Sequence, residues 1–223
     1  VRDRRMTSSY PPAMDATSIP PPTRAERREQ ATAETRSSIL AAARACLLAD
    51  GYANLTTRSV AETAGVPLSQ IHYHFGSKQQ LVLAMLEAEN ARLLDRQRAM
   101  FAGPEPLWIQ WERACDFLDA DLASGYVRVL QEMTAAGWSD PEVASAVREI
   151  QADWYRLLAA VAERAAARLG GLGPFTPAEA AALMGLPFVG AEVALLLGMP
   201  ADVVPARSAL RKVGQLIRSL EER

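Results

Sequence analysis

His72 and His74 stand two residues apart and are the only imidazoles in the 223-residue chain. Acid–base and nucleophilic catalysis at neutral pH commonly pair a histidine with a serine or cysteine, and catalytic metal sites lean on histidine ligands. With both histidines in one short segment, no Ser–His or Cys–His pair and no histidine-containing metal set remains elsewhere. Cys46 and Cys115 each sit in an apolar pattern of helical spacing, which suits packing better than a disulfide or a metal site. Asp116, Asp119 and Asp121 also follow helical spacing and read as a solvated face. The chain is therefore expected to be no enzyme, with no metal and no cofactor. What remains is the chemistry of recognition. Thr57, Arg58, Ser69, Gln70, Tyr73 and Lys78 surround the histidines. Short polar groups and an amide can read base edges in a major groove, while hydroxyls and cations hold phosphates.

The elements that must carry these groups are helical. Thr23 followed by Glu26 has the spacing of a capping box, and helix 1 is expected to begin near Thr23 or near Thr32. Ile39, Ala43, Cys46 and Leu47 give it one apolar face as far as Asp50, and Gly51 is expected to end it as a left-handed cap. Helix 2 is expected over 58–64 with Thr57 as N-cap and Val60, Ala61 and Ala64 inward. Gly65 breaks it, and helix 3 follows over 68–73. Two short helices about a glycine turn have the form of a helix-turn-helix. A long helix 4 is expected from Ser77 to Met100, then helices at 106–123, 126–136, 140–169, 177–197 and 203–221. Asp140-Pro141 and Thr176-Pro177 read as N-caps followed by a first-turn proline. No segment alternates with period two for long enough to form a strand.

The run from Thr56 to Lys78 resembles the DNA-binding signature of the TetR family of repressors. Ala64-Gly65-Val66 matches the turn, Ile71 and Tyr73-His74-Phe75 the end of the recognition helix, and Ser77-Lys78 with Leu81 the start of the long helix. The resemblance covers about residues 33–85. It implies an all-α fold with a three-helix DNA-binding domain over 23–85 and a helical ligand-binding and dimerisation domain over 86–223, while residues 1–22, rich in Pro, Ser and Thr, are expected from composition to be a disordered tail. It also implies a repressor released from a palindromic double-stranded operator by a small molecule. An activator, or a regulator controlled by a protein partner, is the alternative. Candidate DNA contacts are Thr57, Arg58, Leu68, Ser69, Gln70, His72, Tyr73, His74 and Lys78. Ile71 and Phe75, four apart, should pack inward. His72 stands where the family usually carries Tyr, and contact with a base or a phosphate is open to it; His74 can pack or touch phosphate. Pro67 replaces the common Ser at the start of the recognition helix, and Leu68 offers an apolar contact to a thymine methyl. Arg24, Arg27 and Arg28 read either as a basic arm or as a solvated helix face alternating with Glu26 and Glu29.

Beyond residue 105 the motif stops and composition speaks. All four tryptophans (Trp108, Trp111, Trp138 and Trp154) lie there, with Phe117, Met133 and Phe188. Aromatic and methionine side chains can line an adaptable apolar pocket or form ordinary core. Trp108, Trp111, Phe117, Met133, Trp154, Phe188 and Glu192 are the candidate effector contacts, for a largely apolar molecule. Glu192 is the single charge between Glu179 and Asp202, so it must be paired, protonated or wet. Leu210, Val213, Ile217 and Leu220 repeat at 3-4-3 spacing, and this stripe is the candidate homodimer contact.

Net charge is −2 over the whole chain, but residues 1–85 carry 10 Lys+Arg against 7 Asp+Glu. A basic first third before an acidic remainder suits an N-terminal module facing phosphates. The cysteine usage and the lack of an apolar leader point to the reducing cytoplasm. The apolar run 180–199 has the length of a membrane span, yet contains Gly185, Pro187, Gly190 and Glu192. A pair of buried helices in a soluble core is the expected form, with no membrane partner.

Overall fold

The computed structural model describes residues 22–222. The tail expected over 1–22 lies outside them, Pro22 excepted. Among the described residues the chain is all helix: α1 (Arg24–Asn54), α2 (Thr57–Ala64), α3 (Leu68–Phe75), α4 (Lys78–Phe101), α5 (Leu107–Ser124), α6 (Tyr126–Gly137), α7 (Pro141–Leu169), α8 (Pro177–Leu196) and α9 (Ala206–Glu221).

Contacts divide the chain after Thr35. In the first unit, the Thr23 hydroxyl accepts from the Glu26 amide at 3.2 Å while the Thr23 amide donates to Glu26 at 2.6 Å, the capping box expected there. Arg24, Arg27 and Arg28 are exposed.

The second unit runs from Arg36 to the C-terminus, with no division near residue 85. Ile39, Leu47, Val60, Ile71, Leu81 and Leu86 are fully buried in a core that continues into α6 and α7 through Val127, Met133 and Val143. Helices α2 and α3 therefore rest on the same apolar mass as α6 and α7. Polar links reinforce the seam: the Tyr52 amide donates to Glu132 at 2.7 Å, and Arg128 donates to the Leu48 carbonyl at 3.0 Å. Two further cores follow. Trp111, Cys115 and Leu118 of α5 meet Phe188 of α8 and Leu210 of α9, while Met100 and Phe101 meet Leu158, Val161 and Ala181.

Four sequence expectations change in local detail. Gly51 has φ 75° and ψ 167°, outside the left-handed helical cap region, and the chain makes a further turn to Asn54 across this kink. The N-cap of α2 is Thr56, not Thr57: its hydroxyl accepts from the Ser59 amide at 3.0 Å, and Ser59 returns a contact to the Thr56 amide at 3.3 Å. Helix α3 runs two residues further, to Phe75. The run 180–199 is no buried helix pair. It falls largely within α8, one helix passing through Pro187, long and apolar enough by composition to cross a membrane. One face of α8 (Ala181, Gly185, Phe188 and Ala191) is buried on its neighbours, and Leu183, Leu186, Val193 and Leu197 are exposed. The caps expected at Asp140 and Thr176 are present.

Met133 is fully buried where the N-terminal helices meet α6 and α7. Truncating a large core side chain costs about 2–5 kcal/mol. Met133→Ala should lower stability by that order in urea melts, and a helical signal from the whole second unit should shift in one transition.

Candidate nucleic-acid interface and effector cavity

Helices α2 and α3 are short because their ends are chemically marked. The Thr56–Ser59 box starts α2, and Gly65 stops it in the left-handed conformation (φ 67°, ψ 30°) that costs any residue with a Cβ. The Gly65 and Val66 amides return to the Glu62 and Ala61 carbonyls at 3.2 and 3.0 Å, closing the turn. Pro67 precedes α3 without a side-chain cap. Ile71 and Phe75 anchor α3 inward, both buried as their spacing requires.

The groups left outward are those with recognition chemistry. Ser69 is exposed and Gln70 half-exposed on the first turn of α3, beside half-buried Leu68. Arg58 is exposed on the first turn of α2, where Thr57 is half-buried. Tyr73 projects with 76% of its surface exposed, and its ring meets His74 edge-on at 5.0 Å. His74 is half-buried between Tyr73 and Phe75. His72 is exposed, with Nδ1 3.1 Å from the Gly76 carbonyl, so Nε2 is the ring nitrogen left for a partner. Lys78 folds back: its ammonium lies 3.5 Å from the Ala53 carbonyl and 4.6 Å from the Tyr52 ring centre, and burial holds its pKa below the usual lysine value. Sequence reasoning missed Arg36, whose guanidinium stacks 5.3 Å from the Phe75 ring centre at this same surface. Its signal was weak, a lone cation one turn before Ile39.

The second feature is a cavity of about 680 Å³ lined by residues of α4 to α9. Trp111, Phe117, Trp154, Phe188 and Glu192 line it, as the composition suggested. Trp108 and Met133 do not. Trp108 stacks under Arg218 at 4.9 Å, and Met133 belongs to the shared core. Polar lining beyond the candidate set comes from Asn90 and Gln97 of α4, Asp121 of α5, and Tyr126 and Gln131 of α6. Asn90 and Gln97 do carry a readable signal, for they interrupt the apolar stripe of Leu86, Leu93 and Phe101 at helical spacing.

These polar groups tie the cavity wall together. The Tyr126 hydroxyl donates to Asn90 at 3.3 Å, Trp154 Nε1 donates to Gln97 at 3.0 Å, and Arg96 donates to Asp121 at 2.7 Å. Each bond joins α4 to a different helix: α6, α7 and α5. Glu192 receives Gln131 Nε2 at 2.9 Å, and burial pushes its carboxyl up to about 7. Burial also raises Asp121, against the pull of Arg96, and raises Tyr126 well above the phenol range.

Around the expected dimer stripe the structure reassigns roles. Leu210 is buried against Trp111, whose Nε1 donates to the Leu210 carbonyl at 2.7 Å, and Val213 and Ile217 pack in the same core. Leu220 is half-exposed, and Leu216, which the 3-4-3 stripe passes over, is 64% exposed. Asp116 and Asp119 are not simply solvated: Arg211 donates to Asp116 and Arg207 to Asp119, both at 2.7 Å, clamping α9 onto α5. That network raises the Arg211 pKa, chiefly through Asp116 and Glu112.

Comparison with known proteins agrees with this geometry. Residues 39–85 match the model of the bacterial regulatory proteins of the TetR family. The chain is 34% identical over 80 residues to the HTH-type transcriptional repressor AcnR of Corynebacterium efficiens, covering 32% of this chain and 43% of that protein. It is 37% identical over 62 residues to the HTH-type transcriptional regulator TtgR of Pseudomonas putida, covering 28% and 30%. The chain thus spans less than half the length of the curated relatives it matches. Across the fold, a TetR-family regulator from Rhodococcus sp. superposes with a TM-score of 0.69 at 23% identity, covering 83% of this chain and 98% of that one. Residues 39–85 are thus similar to the DNA-binding segment of the TetR family, and the fold is that of the solved TetR-family regulator.

The reassigned cap yields a direct check. Removing a Thr N-cap costs about 1 kcal/mol, within a range of about 0.5–2. Thr56→Ala should show that loss in thermal or urea melts, while Thr57→Ala, inside the first turn, should stay within about 0.5 kcal/mol of the parent.

Proposed function

We propose that the protein is a dimeric transcriptional repressor that holds a palindromic operator through α3 and is released by a small molecule in the cavity. The observation that carries this reading is Ser69 and Gln70 on the open first turn of an α3 anchored by Ile71 and Phe75. Gln can bond an adenine edge twice, and Ser accepts or donates to several bases. Arg58, Tyr73 and Arg36 flank them as phosphate partners, with Thr57 at a helix N-terminus aimed at the backbone. Lys78 would have to leave the Ala53 carbonyl to join them. Its place on the first turn of α4 makes that exchange a means of sensing the tilt of α4.

Release by a small molecule rests on the cavity. Its volume falls within the range of about 300–1,000 Å³ typical of ligand sites, which favours a small-molecule effector over a protein partner. An occupant touching Asn90 and Gln97 touches α4, whose N-terminal turns contact α3. An effector that prefers one tilt of α4 thereby shifts DNA affinity.

Dimerisation rests on the exposed apolar faces of α8 and α9. Leu183, Leu186, Val193 and Leu197 follow one side of α8, and Leu216 and Leu220 one side of α9. Exposed apolar side chains on two neighbouring helices favour association. A two-fold pair of α3 helices then reads a two-fold operator.

Selection of duplexes from a random pool should return a palindromic site with the parent protein. Gln70→Ala should weaken that site by about 5–150-fold, the worth of one bidentate base contact, and relax preference at one position of each half-site. Return of no common sequence by the folded protein would refute the reading. In sedimentation, Leu186→Glu with Leu216→Glu should yield monomer where the parent is dimer. Val213→Ala, on the packed side of α9, should leave the assembly unchanged.

A further inference from the structure

The cavity lining is one-signed. Asp121 and Glu192 are its only ionisable carboxylates, and no lysine, arginine or histidine lines it among the described residues. Asp121 is already matched by Arg96 at 2.7 Å, and the Arg96 guanidinium is further occupied by the Phe117 face, 4.1 Å from the ring centre. Among the described residues no cation pairs with Glu192. Its one side-chain partner is the neutral Gln131 amide at 2.9 Å. An unpaired carboxylate in an apolar wall is costly to keep and is stabilised most by a cation brought to it.

Around Glu192 the wall offers aromatic groups. Tyr126 and Tyr155 lie close enough to feel the Glu192 charge, and the Trp154 ring packs 5.3 Å from that of Tyr155. Aromatic faces attract cations, most strongly where water is excluded. The remainder is apolar: Leu158, Ala162, Ala165 and Leu169 on α7, with Leu172 and Phe175 beyond. From Glu192 to Ala180 the lining follows about 18 Å of the α8 axis. Gly185, midway, lets α8 close on α7: a Cβ there would stand 2.6 Å from the Tyr155 ring. The cavity is therefore long, with an acidic, aromatic zone at Glu192 and a hydrocarbon zone toward Phe175.

Building on the effector reading of this cavity, we propose that the effector is a cationic amphiphile, an amine or quaternary ammonium with a long apolar body, whose charged head pairs with Glu192. An anionic amphiphile of the same length would meet two carboxylates and no cation. A neutral one would leave Glu192 without a charge partner. The head needs Glu192 ionised, and burial holds that carboxyl near 7. The groups facing it are Asp121 of α5, Tyr126 and Gln131 of α6 and Tyr155 of α7, with Glu89 and Arg96 of α4 further along the network. Of these, Glu192 is the group poised to titrate near neutrality. Binding of a fixed cation thus draws a proton off Glu192, and affinity falls as pH drops below about 7.

The test uses three probes with one ten-carbon tail: decyltrimethylammonium, 1-decanol and decanoate. Each is titrated below its micelle concentration into the full-length protein, with tryptophan emission and calorimetry as readouts. The expected order of affinity is ammonium, then alcohol, then carboxylate. Glu192→Gln, which keeps the shape and an amide partner for Gln131, should weaken ammonium binding at least tenfold and leave the alcohol unchanged. Ammonium affinity should rise from pH 6 to pH 8 in the parent and stay flat in Glu192→Gln, while alcohol affinity stays flat in both. If the alcohol or carboxylate binds as tightly as the ammonium, or Glu192→Gln leaves ammonium binding unchanged, the cationic assignment is overturned and the effector cavity stands. If none of the three binds the folded protein, the cavity reading fails with it.

Discussion

Helix α4 belongs to two packing problems at once, and the rest of the molecule is arranged around that. At its N-terminal half, Leu81, Val82, Met85 and Leu86 complete the core that holds α2 and α3. At its C-terminal half, Asn90, Gln97 and Phe101 form a wall of the cavity. A 24-residue helix is about 36 Å long and moves as a body, because bending it breaks its own backbone hydrogen bonds. Its two halves therefore cannot respond independently. A change in what Asn90 or Gln97 touches becomes a change in how Leu81 and Met85 seat the reading helices.

The bonds that tie α4 to its neighbours suit this role. Asn90 to Tyr126, Gln97 to Trp154 and Arg96 to Asp121 are few, partly buried and directional. Directional bonds hold one arrangement well and are lost together when a helix tilts, whereas apolar contacts slide. The shared core around Met133 makes the opposite contribution: its apolar contacts hold α2 and α3 to α6 and α7. The acidic character of the cavity fits the same picture. Glu192 and Asp121 are the carboxylates of a cavity wall that is otherwise neutral, and burial raises both.

Much of the reading surface was legible in the sequence because it is local. The turn at Gly65, the inward pair Ile71 and Phe75, and the outward Ser69 and Gln70 all follow from spacing within some twenty residues. The misplaced cap shows the limit of even local reading: Thr56 and Thr57 are chemically equal, and the choice fell to Ser59, three residues after Thr56. Long-range packing was less legible. The stripe Leu210, Val213 and Ile217 is periodic as expected, but periodicity says that a face is buried, not by what. Its partner is Trp111 and Phe188 of the same chain, leaving Leu216 and the outer side of α8 exposed. Likewise Met133 and Phe188 share an apolar character, and only tertiary contact puts one in a core and the other on a cavity wall.

In the proposed function, occupancy of the cavity and grip on DNA are coupled through α4. The most direct measurement needs no knowledge of the effector. Ala165 lines the hydrocarbon part of the cavity, and Ala165→Trp places an indole in that part from within. The operator affinity of this variant is measured against the parent on the selected duplex, with melting and sedimentation confirming a folded protein of unchanged assembly. Coupling between sites is typically worth about 5–150-fold in affinity, and a weakening in that range is the predicted result. Unchanged operator affinity with the indole in place would contradict the account.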